Sequence, residues 1–481
     1  MVAIGSINGW QPGRGPVTTW TASPASRDIM ARAAKDPLPA SFQQEDHLRT
    51  AYRAKQTGRD VPRLIMSSWD IDGWCDIAAM TEAINTHLRR HDTYHSAFDV
   101  TEDVNGITVT RRTVEDPELI EFVPTALGFM EVDEIRALAR TATPGALEWD
   151  CFTFGVIQKE DHFTFYANID HLHTDGMSAG LIYRDIHLTY QALMHDLPNP
   201  LPAAAVYRDF AARQSMQVAS MTRDSRPVRD WAEFAREADG QWPTFPLGLG
   251  DMSVNTPVDT LGGVLTVELL NAEETEAFDA ACRAAGARFS GGVMACAALA
   301  DNHFTGRETF HTYTPSDTRS GEAQAQSAGW YASLFPVSVP VHTDDFGRTA
   351  RAAQKSFDAN KHLSSIPFKK ALDLVPAEEL GITPASGPSM MVSLMDFRGM
   401  QDADASRLGI YLDNLSHGDI NTWVIRHPDH TSVTVSFPDT QEARHSVHHY
   451  IGVLRSAFTD AAELTTGWID ELDDQAFAHT A

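Results

Sequence analysis

Residues 162–195 change from the periodicity of a strand to that of a helix, and this change constrains the fold more than any other feature. In the first part, apolar and more polar side chains alternate: Phe163, Phe165, Ala167 and Ile169 lie between His162, Thr164, Tyr166 and Asn168. This period of two predicts a strand with one buried face. From Met177 to about His195, apolar residues recur at spacings of three, four and seven, which predicts an amphipathic helix. Both halves of the chain mix such strands and helices, so we predict an α/β fold with layers of both.

The loop between this strand and this helix carries the candidate chemistry, with His171, Asp175 and Gly176 close together. A neutral histidine, with an ordinary pKa of about 6.5, can take a proton from a hydroxyl and make its oxygen a nucleophile. A carboxylate four residues on can hold the loop by pairing with a cation, and the glycine allows a tight turn. The sequence has no Gly-x-Ser-x-Gly motif. Direct transfer to a bound hydroxyl or amine is therefore a better hypothesis than a covalent acyl-enzyme.

Two other interpretations of this loop stay open at this point. His171 and His173 could be ordinary polar residues between a strand and a helix. Alternatively, His171, His173 and Asp175 have the spacing of a metallohydrolase ligand set, although Gly176 stands where a further histidine would be expected. A second histidine-rich stretch, 89–98, is interpreted as the basic end of a helix leading into a strand at 94–98, rather than as a metal site.

Length and punctuation predict two domains. The chain has 481 residues, enough for two cores of ordinary size. The strongest break is Leu197-Pro198-Asn199-Pro200-Leu201-Pro202, with three prolines in five residues. We therefore predict domains at 1–200 and 201–481. Residues 1 to about 39, rich in Gly, Pro, Ser and Trp, are interpreted as an extended lead-in on the surface.

Charge and composition exclude several classes of protein. The net charge of -27 disfavours binding to nucleic acid, and also disfavours binding to anionic lipid by electrostatics alone. The sequence has no basic segment followed by a long apolar run, so we expect a cytoplasmic protein. The four cysteines are far apart and lack a C-x-x-C pair, which favours buried free thiols over disulfides or zinc.

The loop resembles a known family motif. Asp170 to Gly176 is similar to the His-His-x-x-x-Asp-Gly motif of the condensation-domain and chloramphenicol-acetyltransferase-like acyltransferases, aligned on Asp175 and Gly176. On this alignment His171 matches the second, catalytic histidine, and Asp170 replaces the first. His173 falls on a variable position. The resemblance implies that His171 removes the proton and that His173 is a bystander.

Other motifs extend the resemblance over nearly the whole chain. Residues 41–44 resemble the family's first helix motif, residues 90–98 its Arg-His-Glu-x-Leu-Arg-x-x-Phe segment, and residues 314–319 with 329–337 a later motif with a structural arginine, Arg319. More narrowly, residues 88–96, 149–152, 161–166 and 285–293 resemble the polyketide-associated acyltransferases of mycobacterial trehalose-lipid synthesis.

The resemblance implies a structure and an activity. The fold would be two chloramphenicol-acetyltransferase-like subdomains in a V, with the active site in a tunnel at their junction. The enzyme would be an O-acyltransferase that moves a fatty or polyketide acyl chain from a coenzyme A, carrier or synthase thioester to a hydroxyl of trehalose or sulfated trehalose. Asp175 would pair with Arg319 as structural support. No cofactor or metal is expected beyond the thioester co-substrate.

The alternative activity is a nonribosomal-peptide-type condensation that forms an amide or ester. A polyketide synthase or acyl carrier is a candidate partner. Peripheral association with the inner face of the plasma membrane through lipid products is a further expectation.

Overall fold

The computed structural model of the chain describes residues 3–104, 106–238, 243–250, 262–380, 389–398, 408–413 and 419–478. These residues form two compact units. Unit 1 comprises Met1–Ser220, Asp317–Ser333 and Asp402–Leu415, and unit 2 comprises Met221–Ser316, Leu334–Gln401 and Ser416–Ala481. Both contain strands and helices, so the predicted α/β class is confirmed. The V-shaped arrangement and the tunnel stay predictions.

The elements have the following bounds. The strands are β1 (Ala3–Ser6), β2 (Gly15–Ala22), β3 (Ala34–Lys35), β4 (Leu64–Asp72), β5 (Ser96–Asp103), β6 (Gly106–Thr113), β7 (Phe122–Met130), β8 (Phe152–Gln158), β9 (His162–Asp170), β10 (Gly262–Leu270), β11 (Thr309–Asp317), β12 (Ala332–Pro340), β13 (Met390–Asp396), β14 (Gly409–Leu412), β15 (Ile420–Arg426) and β16 (Thr431–Pro438). The helices are α1 (Pro24–Arg32), α2 (Phe42–Gln56), α3 (Ile77–Arg90), α4 (Val132–Thr141), α5 (Gly176–Met194), α6 (Tyr207–Ala219), α7 (Arg226–Glu237), α8 (Ala272–Ala284), α9 (Phe289–Thr305), α10 (Gly321–Ala325), α11 (Phe346–Asn360), α12 (Phe368–Leu372), α13 (Ala377–Leu380) and α14 (Gln441–Ala478).

Unit 1 is built around a seven-stranded sheet in the order β1-β14-β4-β9-β8-β2-β7, and a three-stranded sheet β3-β6-β5 lies beside it in the same unit. Strand β9 is central and pairs antiparallel with both β4 and β8. Helix α5 packs on β4, where the Ser67 hydroxyl donates to the carbonyl of Ala179. The chain thus leaves the middle of the sheet at the end of β9 and returns as the helix that covers it.

The alternation in β9 is present, but the prediction of one buried face is wrong. Thr164, Tyr166 and Asn168, on the expected polar face, are as buried as the apolar residues between them. Tyr166 packs against Trp10 in a second cluster of buried residues. A central strand covered on both faces must bury both sets of side chains, and each polar group there needs a hydrogen bond.

Unit 2 is built around a six-stranded sheet in the order β10-β16-β15-β13-β11-β12. Helices α8, α9, α11 and α14 pack against one another in this unit. Its core draws on Leu269, Phe278, Val293, Phe335 and Tyr450, all fully buried. Helix α14 also packs on β10 and β16 of this sheet.

Two segments differ from their predictions. Residues 1–39 are not an extended lead-in, because they supply β1, β2 and α1, and β2 is an inner strand of the seven-stranded sheet. The expected strand at 94–98 starts at Ser96, after a 3-10 turn at Asp92–His95. Short strands separated by Gly and Pro show no long alternation in the sequence, so whether they form depends on the strands with which they pair.

The predicted domains are two continuous stretches divided at residue 200, whereas each compact unit combines three separate stretches of the chain. Unit 1 continues through the proline-rich segment to Ser220 because α6 is tied to it, with the backbone N–H of Phe42 donating to Gln214 and that of Tyr207 donating to Asp92. Two later segments also belong to unit 1, and one of them contains Arg319. Among the described residues, no helix is long and apolar enough to span a membrane.

Candidate active site

The register of the central strands positions His171. Asp170, the last residue of β9, lies opposite Leu64 at the start of β4. The next backbone N–H, that of His171, donates to the carbonyl of Arg63 at 2.6 Å, and residues 171–173 form a 3-10 turn. The histidine is therefore fixed to the sheet by its own main chain, directly beyond a strand end.

Asp170, which replaces the first histidine of the family motif, is the centre of a buried polar cluster. Its carboxylate lies 2.8 Å from Nε2 of His47 on α2 and 3.3 Å from Nη1 of Arg63, and it accepts a hydrogen bond from the backbone of Leu172. Burial alone would raise the pKa of Asp170, but His47 and Arg63 outweigh it, so the pKa is lowered. Asp170 is therefore ionised at neutral pH, and its negative charge lies beside the basic side chains of His47 and Arg63.

His171 is half-buried, and one ring contact dominates its surroundings. The indole of Trp330 lies over it, with ring centroids 3.7 Å apart and planes inclined by 30°. Nδ1 is buried and has no hydrogen-bond partner of normal geometry in the described residues. Desolvation, followed by the charge of nearby His47, lowers the pKa of His171 to about 4. The imidazole is therefore neutral at physiological pH, as a proton acceptor must be.

Asp175 caps helix α5 and joins it to the segment that follows Arg319. It is buried, and its Oδ1 accepts from the backbone N–H of Ser178 at 2.8 Å. Its Oδ2 accepts from the backbone N–H groups of Tyr331 at 2.9 Å and Ala332 at 3.0 Å. Nη1 and Nη2 of Arg319 lie 3.1 and 3.2 Å from the two carboxylate oxygens. Burial would raise the pKa of Asp175, but Arg319 and these donors lower it.

Arg319 is itself buried, with its side chain 3% exposed. It also donates to the carbonyl of Ser327, to Ser178 Oγ and to Asp317, and its guanidinium lies 4.2 Å from the ring centroid of Tyr331. The predicted pairing of Asp175 with Arg319 is thus present in the structure. Both oxygens of Asp175 are occupied, so this carboxylate braces the loop and is not free to bind a substrate or an ion.

Gly176 is the first residue of α5, and it is not among the described glycines with positive φ. The expected tight turn therefore does not require a glycine. Asp175 itself is extended, with φ -142° and ψ -178°, which is ordinary for a residue that caps a helix.

The third candidate, His173, lies inside unit 1 and is fully buried. Its Nδ1 is 3.1 Å from the Thr93 hydroxyl, and its ring packs against Phe152 and Tyr94. Desolvation lowers its pKa to about 4. His171, His173 and Asp175 do not converge as metal ligands, because each has a different set of contacts.

The group that comes closest to a metal-ligand set in the described ranges is His87, His91 and Asp185, all buried. Here Nε2 of His91 lies 2.8 Å from Asp185, and its Nδ1 accepts a hydrogen bond from the backbone of Ala328. Both ring nitrogens of His91 are therefore occupied. Asp185 is paired in addition with Arg90 and Arg184, so its charge is already compensated without a metal ion.

Sequence reasoning missed His47 and Trp330. Residues 41–44 resemble a helix motif, and the capping box of Ser41 with Gln44 is present, but nothing in the pattern of α2 distinguishes His47 from a surface histidine. Trp330 lies within the motif segment 329–337, but β12 begins only at Ala332. Gly329 was the available signal, because an isolated glycine in a strand pattern indicates a bulge or a close approach of the backbone.

Comparison with known proteins agrees with this geometry. A family model described as "Condensation domain" matches residues 64–379. Trehalose-2-sulfate acyltransferase PapA2 of Mycobacterium tuberculosis is 41% identical over 471 residues, covering 97% of this chain and 98% of the relative. Acyltransferase PapA3 of the same species is 38% identical over 472 residues, covering 96% and 97%. A solved structure of "PapA2 acyl transferase" superposes with a TM-score of 0.89 at 41% identity, covering 96% and 99%. A condensation domain of the calcium-dependent antibiotic synthetase, 19% identical with a TM-score of 0.65 over 89% and 97%, shares the fold.

The chain belongs to the condensation-domain family, as the fold and the His-x-x-x-Asp-Gly loop indicate. Within this class it is similar over nearly its whole length to the PapA acyltransferases, and it is an acyltransferase, which confirms the predicted family and the transfer of an acyl group.

Proposed function

We propose that the enzyme transfers a fatty or polyketide acyl chain from a thioester to a hydroxyl of trehalose or sulfated trehalose, with His171 as general base. The observation that carries the mechanism is the position of His171, directly beyond the end of a central strand and in the same loop as a carboxylate that is paired with an arginine. The relative named above as a trehalose-2-sulfate acyltransferase supports the sugar acceptor.

In the proposed mechanism, one proton moves from the acceptor hydroxyl to His171 and then to the leaving thiolate. His171 removes the proton from the acceptor hydroxyl as its oxygen attacks the thioester carbonyl, which forms a tetrahedral oxyanion. The oxyanion collapses, the carbon–sulfur bond breaks, and the protonated His171 returns the proton to the leaving thiolate. The products are an ester and a free thiol, and the histidine is restored.

Asp175 and Arg319 act on this chemistry only as supports. Their ion pair fixes the first turn of α5 to the backbone of residues 331 and 332, and the loop that holds His171 lies directly before that turn. A base that is held in place contributes more than a mobile one, because orientation is established before the reaction.

The decisive experiment compares His171→Ala with His162→Ala, a partly exposed histidine at the other end of β9. Activity is measured as thiol release from an acyl thioester in the presence of trehalose or trehalose-2-sulfate. Loss of a general base lowers kcat by roughly 10²–10⁴-fold, and we expect this for His171→Ala alone. Full activity of His171→Ala would refute the mechanism.

The amide-forming condensation is a second candidate, because the family model that matches residues 64–379 is that of condensation domains. The same assay with an amine acceptor distinguishes the two.

The proposal also includes a donor and a location. The acyl chain would come from a polyketide synthase or acyl carrier, and the enzyme would associate with the inner face of the membrane through its lipid products. Pull-down with an acylated carrier and flotation with anionic vesicles test them.

A further inference from the structure

Trp330 has no role in the mechanism proposed above, yet its ring makes a closer contact with His171 than any other described ring. The two rings are tilted relative to each other, with a centroid separation of 3.7 Å and an interplanar angle of 30°. On another side of the indole, His47 lies in an edge contact with centroids 5.6 Å apart. Trp330 is thus in contact both with the proposed base and with the histidine that pairs with Asp170.

The loop that carries this indole, residues 327–332, is fixed along its length. Ser178 Oγ donates to the carbonyl of Gly329 and accepts from its N–H, at 2.8 and 3.1 Å. The Tyr207 hydroxyl donates to the carbonyl of Trp330 at 2.9 Å. Asp175 accepts from the two residues that follow Trp330. Main-chain bonds on both sides therefore determine where the indole lies.

This fixed loop requires an unusual backbone conformation at Gly329, which indicates that the position of the indole is important. At Gly329, φ is +149°, and an added Cβ would lie 2.4 Å from the ring of Tyr207. The backbone therefore takes a course that favours glycine just before the tryptophan. Constraints of this kind accumulate where a side chain must be held in one orientation.

We propose that Trp330 is a positioning residue for His171, and that its fixed indole holds the imidazole in the orientation for proton transfer and shields one face of it from water. This inference rests on the proposed function, since it assumes that His171 is the base. The Asp175–Arg319 pair then has a second task, because it anchors the loop that positions the tryptophan as well as the helix that follows the histidine.

The charged and titratable groups around His171 define what removal of the indole would change. His47 on α2, Asp170 at the end of β9 and Asp175 at the start of α5 all act on the ring. A substitution at Trp330 removes none of them, but it takes away the ring contact of His47, so the His47 signal is followed in the same NMR titration. A change in the titration of His171 with an unchanged His47 titration reports water reaching the face of His171, which favours the charged form.

The test compares Trp330→Ala, Trp330→Leu and Trp330→Phe, with Trp74→Ala as the control at a tryptophan that is 72% exposed. For each variant we measure Tm, kcat and KM for thioester and sugar, the pH profile of kcat/KM, and the titration of His171 by NMR of histidine-labelled protein without substrate. The His171 signal is assigned by its loss in His171→Gln.

We expect Trp330→Ala and Trp330→Leu to lower kcat about tenfold or more with a smaller effect on KM, and to move the His171 titration upward by about one pH unit. Trp330→Phe, which keeps a stacking face, should retain most of kcat. Trp330→Leu serves if Trp330→Ala does not fold.

Normal kcat and an unchanged His171 titration in folded Trp330→Leu would overturn the inference. So would a Trp330→Phe variant as defective as Trp330→Leu at equal Tm, because stacking would then not be the cause. Failure of the proposed function is recognised separately, since it appears as activity in His171→Ala, whereas the NMR titration needs no substrate.

Discussion

At the scale of single residues, two buried carboxylates five positions apart divide the support of the candidate site. Asp170 compensates His47 and Arg63 on one side of His171, and Asp175 compensates Arg319 on the other. The pKa of each is lowered in spite of burial, so both stay charged at neutral pH. Asp170 replaces the first histidine of the family motif and therefore places a negative charge next to the proposed base. His47 on helix α2 pairs with that carboxylate.

Asp175→Asn tests the buried ion pair. The amide can still cap α5, but Arg319, 3% exposed, loses its buried counter-charge. Removal of one partner from such a pair costs about 3–5 kcal/mol, and we expect the lower end because Asp317 also contacts Arg319. The free energy of unfolding in urea measures this loss.

A double-mutant cycle supplies the control. Arg319→Gln alone, and combined with Asp175→Asn, should show a coupling of at least about 1 kcal/mol. Strict additivity of the two single changes would contradict the interpretation that the two side chains stabilise the fold as a pair.

The sequence predicted part of this residue-scale picture. His171 and Asp175 were identified from one motif, because that motif spans a strand end and a helix cap and so has a fixed local geometry. Arg319 was identified from a second, later motif. His47 and Trp330 were not, because they reach His171 through tertiary contacts from residues far away in the chain. No local periodicity records contacts of that kind.

At the scale of elements, the conformation of the loop 327–332 should affect the candidate site, because this loop carries Trp330. Gly329→Ala should disturb it, because φ of +149° is strained for a residue with a Cβ and the ring of Tyr207 leaves no room. We expect a loss of stability of about 1–3 kcal/mol together with a fall in kcat. Thermal unfolding and steady-state kinetics of the variant check both.

Gly145→Ala is the matched control. Its φ is not in the left-handed region, and an added Cβ has no neighbour within 4 Å among the described residues. Its Tm and kcat should therefore equal those of the parent enzyme. An unaffected Gly329→Ala would mean that the loop adapts and does not fix Trp330.

Elements with a long uniform pattern were predicted nearly to the residue, and those without one were not. Strand β9 ends at Asp170, one residue beyond the predicted alternation, and helix α5 lies within one residue of its predicted bounds. Strands β1 and β2 were missed because glycine and proline conceal their alternation, and only pairing with β14, β7 and β8 makes them strands.

At the scale of the whole molecule, buried neutral histidines make the fold sensitive to acid. Burial lowers the pKa of His91 to about 3, and of His171, His173 and His427 to about 4. In the unfolded chain each titrates at about 6.5, so between pH 6.5 and 4 the unfolded state binds more protons. Their contribution to stability is complete above pH 6.5 and decreases as the pH falls toward 4.

We expect Tm to fall progressively from pH 6.5 to 4.5, because the four histidines outweigh Asp413, a carboxyl group whose pKa burial raises to about 6 and which binds its proton in the folded state over the same range. Differential scanning calorimetry over this range measures the slope. His173→Gln should reduce Tm at neutral pH but flatten the slope, because one proton fewer is taken up on unfolding. A flat Tm between pH 6.5 and 4.5 in the parent enzyme would show that these histidines do not govern its acid sensitivity.

The sheet of unit 1 also has a consequence for how the protein is made. Its strand β14, Gly409–Leu412, lies between β1 and β4, and β1 pairs with it in parallel at the edge of the sheet. During synthesis β1 must therefore wait until residues 409–412 have left the ribosome before it finds its partner. Until then β4 presents an unpaired edge, which is a place where nascent chains can associate wrongly. A chaperone bound to that edge would protect the nascent enzyme, and a chain truncated before Gly409 would keep the edge open permanently.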